Sequence, residues 1–157
     1  MTYSRGQITA LLILRIAIGW HFLFEGLTKL MNSSWSSAGY LLDSKGWFAE
    51  LFYWMASNDV VLKVVDLMNI WGLILIGFAL VTGLFSRLAS IAGMVLLAFY
   101  YISHPPLLGL DYIIPNEGNY FIVNKNLIEL IGLWIIYLFP TSKNYGLDRF
   151  IFKSSHS

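Results

Sequence analysis

The stretch LMNIWGLILIGFALVTGLFS, residues 67–86, decides the class of this protein. It contains no charged side chain over its whole length and lies between Asp66 and Arg87. About 20 apolar residues in a helix are enough to cross the hydrocarbon core of a bilayer. This stretch therefore predicts a membrane-spanning helix, and the rest of the chain is interpreted around it.

The composition of the whole chain agrees with an integral membrane protein. Of its 157 residues, 57% are hydrophobic and 12% are charged, whereas a soluble domain carries about 25% charged residues. A net charge of +1 is too small for a nucleic-acid-binding face. The chain has no cysteine, which excludes disulfides, cysteine-ligated iron–sulfur clusters and covalently attached haem. Any redox chemistry must therefore depend on a partner protein or a diffusible molecule.

We predict a single all-α membrane domain over residues 1–157, a four-transmembrane-helix bundle with spans at about 8–31, 66–86, 87–103 and 120–139. The connection at 32–64 mixes charges with many aromatic residues. It is too polar to cross the bilayer, and its segment 46–56 predicts an amphipathic helix in the membrane interface. This connection either anchors the chain at the membrane surface or forms a lid over a pocket.

The distribution of basic residues predicts the orientation. One side of the predicted membrane domain carries Arg5, Arg87, Lys143, Arg149 and Lys153, and the other carries Lys45 and Lys63. By the positive-inside rule, both termini are cytoplasmic and the connection at 32–64 is exported. We therefore expect a protein of the cytoplasmic (inner) membrane of a prokaryote.

The first span carries a regularly spaced set of residues, Arg15, Gly19, Phe22, Gly26 and Lys29. With 3.6 residues per turn, this spacing places all five on one narrow face of the helix. Glycine lets a second helix backbone come close. We expect another span to pack against this face.

Ionisable side chains inside the spans must face protein or water, because a charge near the bilayer centre costs about 2.5–3.5 kcal/mol or more. At one predicted depth, the exported half, lie His21, Glu25, Lys29, Asp66, Asn69, His104, Asn126 and Glu129. They predict a polar pocket that opens toward the exported side. The alternative is a set of buried ion pairs that only fix packing, such as Lys29 with Glu129 or Arg15 with Glu25. No spacing typical of a metal site is present, so no metal is predicted.

Three segments together resemble the DoxX family. The residues that carry the resemblance are Arg15, Gly19, Phe22, Gly26, Lys29 and Leu30 in the first span, Gly72, Gly77, Thr82, Gly83, Arg87 and Ala89 around the second, and Asn126 at the start of the fourth. The resemblance implies a four-helix integral membrane protein. Members of the family include a small subunit of thiosulfate:quinone oxidoreductase, and others are associated with soluble redox enzymes.

The resulting hypothesis is a membrane subunit of an oxidoreductase complex without a redox centre of its own. It would couple a soluble or membrane-associated enzyme on the exported face to membrane quinone. Arg15 and Lys29 would polarise the quinone oxygens, His21 and Glu25 would relay protons, and the pocket would be completed by Asp66, Asn69, Asn126 and Glu129. Two alternatives stay open: a non-catalytic anchor for a soluble enzyme, and a small-solute transporter. A second copy of the chain is a further candidate partner.

Overall fold

A computed structural model describes residues 3–107, 109–113 and 120–151, the last range without the side chains of residues 143 and 144. Lys153 and the Lys143 side chain, both used to predict the orientation, lie outside this description. The described helices are α1 (Arg5–Met31), α2 (Ala38–Leu42), α3 (Ala49–Ser57), α4 (Asp59–Thr82), α5 (Ser86–Ser103), α6 (Lys125–Leu138), α7 (Ser142–Tyr145) and α8 (Asp148–Ile151). The described residues contain no β-strand, only one isolated bridge between Tyr120 and Val123.

Three helices, α1, α4 and α5, are long and apolar enough to cross a membrane. They correspond to the first three predicted spans. The helix α4 begins well before the predicted boundary at residue 66, because the Asn58 side chain caps its start. The Asn58 carboxamide oxygen accepts hydrogen bonds from the backbone N–H groups of Val60 and Val61, both at 3.1 Å. Capping of this kind satisfies donors that have no partner inside the helix.

The fourth predicted span, 120–139, contains a shorter helix than expected. Helix α6 has 14 residues, about 21 Å at 1.5 Å per residue, against a hydrocarbon core of about 30 Å. It begins at Lys125 because the Asn124 side chain caps it, accepting from the Leu127 N–H at 3.0 Å. A complete fourth helical crossing is therefore not confirmed.

Glycines bring α1 and α4 into direct backbone contact. A Cβ added to Gly77 of α4 would lie 2.3 Å from the backbone nitrogen of Leu23. A Cβ added to Gly26 of α1 would lie 2.8 Å from the backbone nitrogen of Ile74, and Gly19 is similarly crowded. These approaches leave no room for a side chain, which confirms the close helix contact predicted from Gly19 and Gly26.

The helices contact one another in a closed order: α1 packs on α4, α4 on α5, α5 on α6, and α6 back on α1. The buried apolar core between them is Ile18, Phe22, Leu73, Ile76, Leu80, Ala89, Leu97, Leu133 and Ile136. Large apolar side chains also cover the outside, including Trp20 on α1 and Phe78 on α4. So much exposed apolar surface is suited to lipid rather than water, in agreement with an integral membrane protein.

The connection between α1 and α4 contains two short helices. The predicted interfacial helix at 46–56 corresponds to α3, whose Leu51 and Trp54 are exposed while Phe52 is buried. Its contact with a membrane stays a prediction. Helix α2 was not anticipated, since its five residues are too few to produce a helical pattern in the sequence.

Candidate functional site

A cavity of about 450 Å³ lies where α1, α2, α4, α5 and the start of α6 meet. We call it the polar cavity. Its lining is formed by His21, Phe22, Glu25, Lys29, Trp35, Ser36, Ser37, Gly39, Tyr40, Asn69, Leu73, Leu97, Tyr100, Asn124, Lys125, Asn126 and Glu129. The volume falls in the range of about 300–1,000 Å³ that is usual for small-molecule sites.

Most of the polar residues singled out from the sequence meet in this cavity. Those that line it are His21, Glu25, Lys29, Asn69, Asn126 and Glu129. They come from three helices, α1, α4 and α6. Their helical spacing and their predicted depth had indicated this grouping in the sequence. Asp66 and Arg15, also predicted to bind the ligand, do not line the cavity.

Lys29 begins a polar chain that crosses three helices. Its Nζ lies 2.9 Å from Oε1 of Glu25 and donates to Oδ1 of Asn69 at 2.9 Å. The Asn69 amide in turn donates to the Tyr100 hydroxyl at 2.6 Å. The same ammonium lies 4.9 Å from the centre of the Trp35 ring, a distance typical of a cation–π contact. Lys29 is thus held in place at the cavity wall by an acid, an amide and an aromatic ring.

His21 lies between two glutamates. Its Nδ1 is 2.7 Å from Oε1 of Glu129, and its Nε2 is 3.7 Å from Oε2 of Glu25. The contact with Glu129 is an ion pair when the imidazole is protonated, and the other Glu129 oxygen is buried without a hydrogen-bond partner. The ion pairs therefore differ from those suggested by the sequence, Lys29 with Glu129 and Arg15 with Glu25.

The polar cavity combines proton-exchanging groups with flat apolar walls. Histidine changes protonation state near neutral pH more readily than any other side chain, and Lys29 offers a fixed positive charge. Trp35, Tyr40 and Tyr100 supply aromatic walls. Such a site suits a small planar molecule with oxygen atoms at its edge. Among the described residues, no group of three or more His, Asp or Glu side chains is placed to hold a metal.

The connection between α1 and α4 forms a roof over the cavity and is attached to α4 through Asp66. Both the backbone N–H and the hydroxyl of Ser37 donate to Oδ1 of Asp66, at 2.8 and 2.5 Å. Asp66 was predicted to bind the ligand directly. It does not line the cavity but faces Ser37, which does, so we interpret it as a positioning residue.

A second attachment joins the roof to the end of α5 through His104. The His104 ring stacks on Tyr40 with centroids 3.9 Å apart, and its Nδ1 lies 2.8 Å from the Ser103 hydroxyl. Burial lowers the pKa of His104, although Asp43 nearby acts in the opposite direction. Burial also raises the pKa of Tyr40, so its hydroxyl stays protonated. His104 was predicted to lie at the depth of the pocket. It is not part of the cavity lining, and it packs against Tyr40 of the roof.

Arg15 lies away from the cavity, in a closed cluster that we call the arginine site. Its exposed fraction is 2%. The guanidinium donates to the Thr141 hydroxyl at 2.9 Å and to the Tyr145 carbonyl at 2.8 Å. Arg15 and Lys29 share one face of α1 but are about 21 Å apart along it, so they lie at different depths. This position does not support the ligand-binding role predicted for Arg15, and we interpret the residue as structural.

Sequence reasoning missed the aromatic lining. Trp35 and Tyr40 belong to the roof, whose course depends on tertiary contacts. Tyr100 lies near the end of the third predicted span, a position where aromatic residues usually contact the membrane interface. A signal for its inward position existed: Gly93, Leu97, Tyr100 and His104 have the same four, three, four spacing as the buried face of α1.

Comparison with known proteins identifies the family. A sequence model of the DoxX family matches residues 10–105, which is more than half of the chain and covers most of α1 and all of α2 to α5. No curated protein and no solved structure matches the chain significantly. The matched region holds His21, Glu25, Lys29 and Asn69, whereas Glu129 lies beyond it. On the strength of this match, the chain belongs to the DoxX family.

Proposed function

We propose that this protein is a membrane subunit of an oxidoreductase complex and that it binds the ring of a quinone in the polar cavity. The observation that carries the proposal is the convergence of His21, Glu25, Lys29 and Glu129 on a cavity with aromatic walls. Buried ion pairs that serve packing alone would be expected to close on each other. Here the charged groups surround about 450 Å³ of space.

In the proposed topology, the chain crosses the membrane four times, with α6 and its flanking residues as the fourth crossing. Both termini lie in the cytoplasm of a prokaryote, by the positive-inside rule. The polar cavity and its roof then lie in the exported half of the membrane. This arrangement gives an enzyme outside the cytoplasm direct access to the roof.

The residues of the cavity match what quinone reduction requires. Each quinone oxygen accepts one electron and one proton to become a hydroxyl. Lys29 is placed to hold one oxygen and stabilise negative charge on it, with Asn69 keeping the ammonium in position. His21, between Glu25 and Glu129, is placed to deliver a proton to the other oxygen, and Glu25, 2.9 Å from the Lys29 Nζ, would relay the proton that the first oxygen takes up. Asn126 completes the polar lining.

The two electrons come from a partner enzyme, because the chain has no cysteine and no bound redox group is implied. A soluble flavin-, nicotinamide- or molybdenum-dependent enzyme on the exported face is the proposed donor. The quinone would then carry the electrons into the membrane pool. The protein's own contribution is to bind the quinone, orient it and provide protons.

The test begins with purification of the tagged chain in mild detergent from its native membrane, with mass spectrometry of every protein that accompanies it. Quinone reduction by that complex is then measured with Lys29→Met and Glu25→Gln. We expect each to lower the rate about 10²-fold or more, the usual size for a lost proton-transfer or charge-stabilising group. Lys63→Met and Glu50→Gln are matched controls, since both side chains are exposed and outside the cavity.

Unchanged rates in Lys29→Met and Glu25→Gln would contradict the proposal. So would recovery of the chain alone, without an enzyme partner, from intact membranes. The controls separate a specific kinetic defect from a general loss of charge.

A second candidate function is an anchor that recruits a soluble enzyme without taking part in its chemistry. The observation that favours it is the exposed aromatic surface of the roof, where Trp47 is 96% exposed and Trp54 is 55% exposed. Under this alternative, Trp47→Ser and Trp54→Ser would release the enzyme from the membrane. Lys29→Met would leave its rate unchanged as long as the complex stays assembled.

A further inference from the structure

A second cavity of about 480 Å³ lies between α4 and α5, beneath α2 and α3. We call it the apolar groove. Its deep wall includes the buried side chains of Leu41, Phe52 and Ile76. On its open side, Met68 is 69% exposed and Val95 is 52% exposed. In a bilayer, this open side would face the acyl chains of the surrounding lipids.

The apolar groove shares a wall with the polar cavity. Four residues line both spaces: Ser37, Tyr40, Asn69 and Tyr100. The wall is therefore one side-chain layer thick. Its members are joined by the hydrogen bond from Asn69 to the Tyr100 hydroxyl and by a contact of 3.4 Å from the Tyr40 hydroxyl to the Tyr100 carbonyl. A polar space and an apolar space thus lie side by side, and the apolar one opens toward lipid.

We propose that the apolar groove holds the hydrocarbon chain of the same quinone whose ring occupies the polar cavity. This inference rests on the proposed function and adds the ligand's class: a quinone with a long apolar tail, entering sideways from the bilayer. The shared wall is the reason for assigning the groove to the tail. A quinone ring held at Lys29 and Asn69 would be separated from the groove by a single side chain, so a tail attached to the ring can reach it. A tailless solute would leave the groove unused.

Burial of the tail from water does not drive this binding, because lipid is as apolar as the groove. The groove contributes close packing against the tail and a single exit direction for it, so that the ring is held in one orientation. Blocking the groove should therefore weaken binding of a tailed quinone. Binding of the ring alone should stay unchanged.

Gly72 is a position at which the apolar groove can be filled without disturbing the packing of the helices. It lines the groove, and a Cβ placed on it would meet no atom within 4 Å. Gly72→Leu would fill open space rather than disturb packing, and it replaces a poor helix former by a good one. Ala92→Leu, from the opposite wall on α5, is the second variant. Gly39→Leu is the matched variant for the polar cavity, since Gly39 lines that space and has equal room.

The experiment measures equilibrium binding of two probes to the full chain in phosphatidylcholine nanodiscs. One probe is a methyl-substituted benzoquinone, and the other carries the same ring with a decyl chain. Concentrations are expressed per lipid, which removes the effect of partitioning. We expect Gly72→Leu and Ala92→Leu to weaken binding of the tailed probe about tenfold and to leave the tailless probe unchanged. Gly39→Leu should weaken binding of both probes. Gly6 lies outside both cavities, so Gly6→Leu should change neither affinity.

Two results would overturn the proposal, and they are distinguishable. If wild-type protein binds both probes and Gly72→Leu and Ala92→Leu change neither affinity, the groove is not the tail site, while quinone binding in the polar cavity still holds. If wild-type protein binds neither probe, the proposed function fails and the tail site fails with it.

Discussion

The polar cavity and the arginine site are two clusters of charged and polar groups on the same helix, and they differ in whether they enclose space. At the arginine site, Arg15 is 2% exposed and donates to Thr141 and Tyr145. Gly83, with a positive φ of 69°, brings its backbone against the guanidinium, so that a Cβ there would lie 3.1 Å from an arginine nitrogen. The guanidinium is enclosed by the protein.

The polar cavity has the opposite character. Lys29 and Glu25 lie 2.9 Å apart, yet the Glu25 side chain is 36% exposed and the His21 side chain is 31% exposed. Their charges border a cavity. An ionisable residue in a membrane helix is therefore no evidence of a ligand site until its surroundings are known. A charged group that the protein encloses completely stabilises the packing, and we call this arrangement a lock. A charged group that borders open space can bind a ligand.

The arginine site also explains how the end of the chain is attached. The Asp148 carboxylate accepts from the Phe85 N–H at 2.7 Å, and the Leu147 N–H donates to the Thr82 carbonyl at 3.1 Å. Together with Arg15, these bonds join α7 and α8 to the turn between α4 and α5. The site therefore holds three separate parts of the chain together.

The largest expected effect on stability is that of Arg15→Met. It leaves the buried Thr141 hydroxyl without its donor, at a cost of about 1–3 kcal/mol, and it also removes the bond to the carbonyl of the half-exposed Tyr145. Lys29→Met should cost less than Arg15→Met, because the Glu25 carboxylate that it leaves behind is 36% exposed and stays in contact with the cavity. Thermal unfolding of the detergent-solubilised protein measures both. Arg15→Lys, which keeps the charge but loses the planar fork, should fall between wild type and Arg15→Met.

Equal unfolding temperatures for Arg15→Met and Lys29→Met would contradict this distinction. The two regions would then be energetically alike, and the space beside Lys29 would have no bearing on its role.

A smaller effect is expected from pH, and at the roof it comes from His104. Burial lowers the pKa of His104 below its unfolded value of about 6.5. The unfolded state therefore takes up the proton first, so stability is complete above about pH 6.5 and decreases as the pH falls toward the lowered pKa, by at most about 1.4 kcal/mol per pH unit. Near His104, Asp43 favours the charged form and Lys45 opposes it.

His104→Gln should reduce this pH dependence. The measurement compares unfolding temperatures of wild type and His104→Gln at about pH 7.5 and about pH 5.5. Arg15 stays charged throughout this range, so the arginine site should not respond. An unchanged pH dependence in His104→Gln would contradict the role assigned to this histidine.

The sequence predicted the helical positions of the polar residues well, because helical geometry is local. His21, Glu25 and Lys29 are spaced for one flank of α1, and Asn126 and Glu129 for one flank of α6. Their common depth followed from where each predicted span begins and ends. Insertion costs then required these side chains to face inward, and the structure places them on the lining of one cavity.

What the sequence could not predict depends on distant contacts. The partners of Arg15 are 126 and 130 residues away, in a segment with no apparent link to the first helix. The roof depends on Ser37 reaching Asp66 and on Tyr40 stacking against His104, pairings that no local pattern encodes. The ion pairs suggested from the sequence, Lys29 with Glu129 and Arg15 with Glu25, do not form. Lys29 contacts Glu25, four residues earlier on the same helix, and Glu129 faces His21 instead.

The central claim is that the polar cavity is a ligand site and the arginine site is a lock. Its most direct test is equilibrium binding of a methyl-substituted benzoquinone to purified wild type, Lys29→Met and Arg15→Lys in nanodiscs. The account predicts one saturable site in wild type, at least about tenfold weaker in Lys29→Met and unchanged in folded Arg15→Lys. Equal affinity in wild type and Lys29→Met, or no saturable binding in wild type, would contradict it.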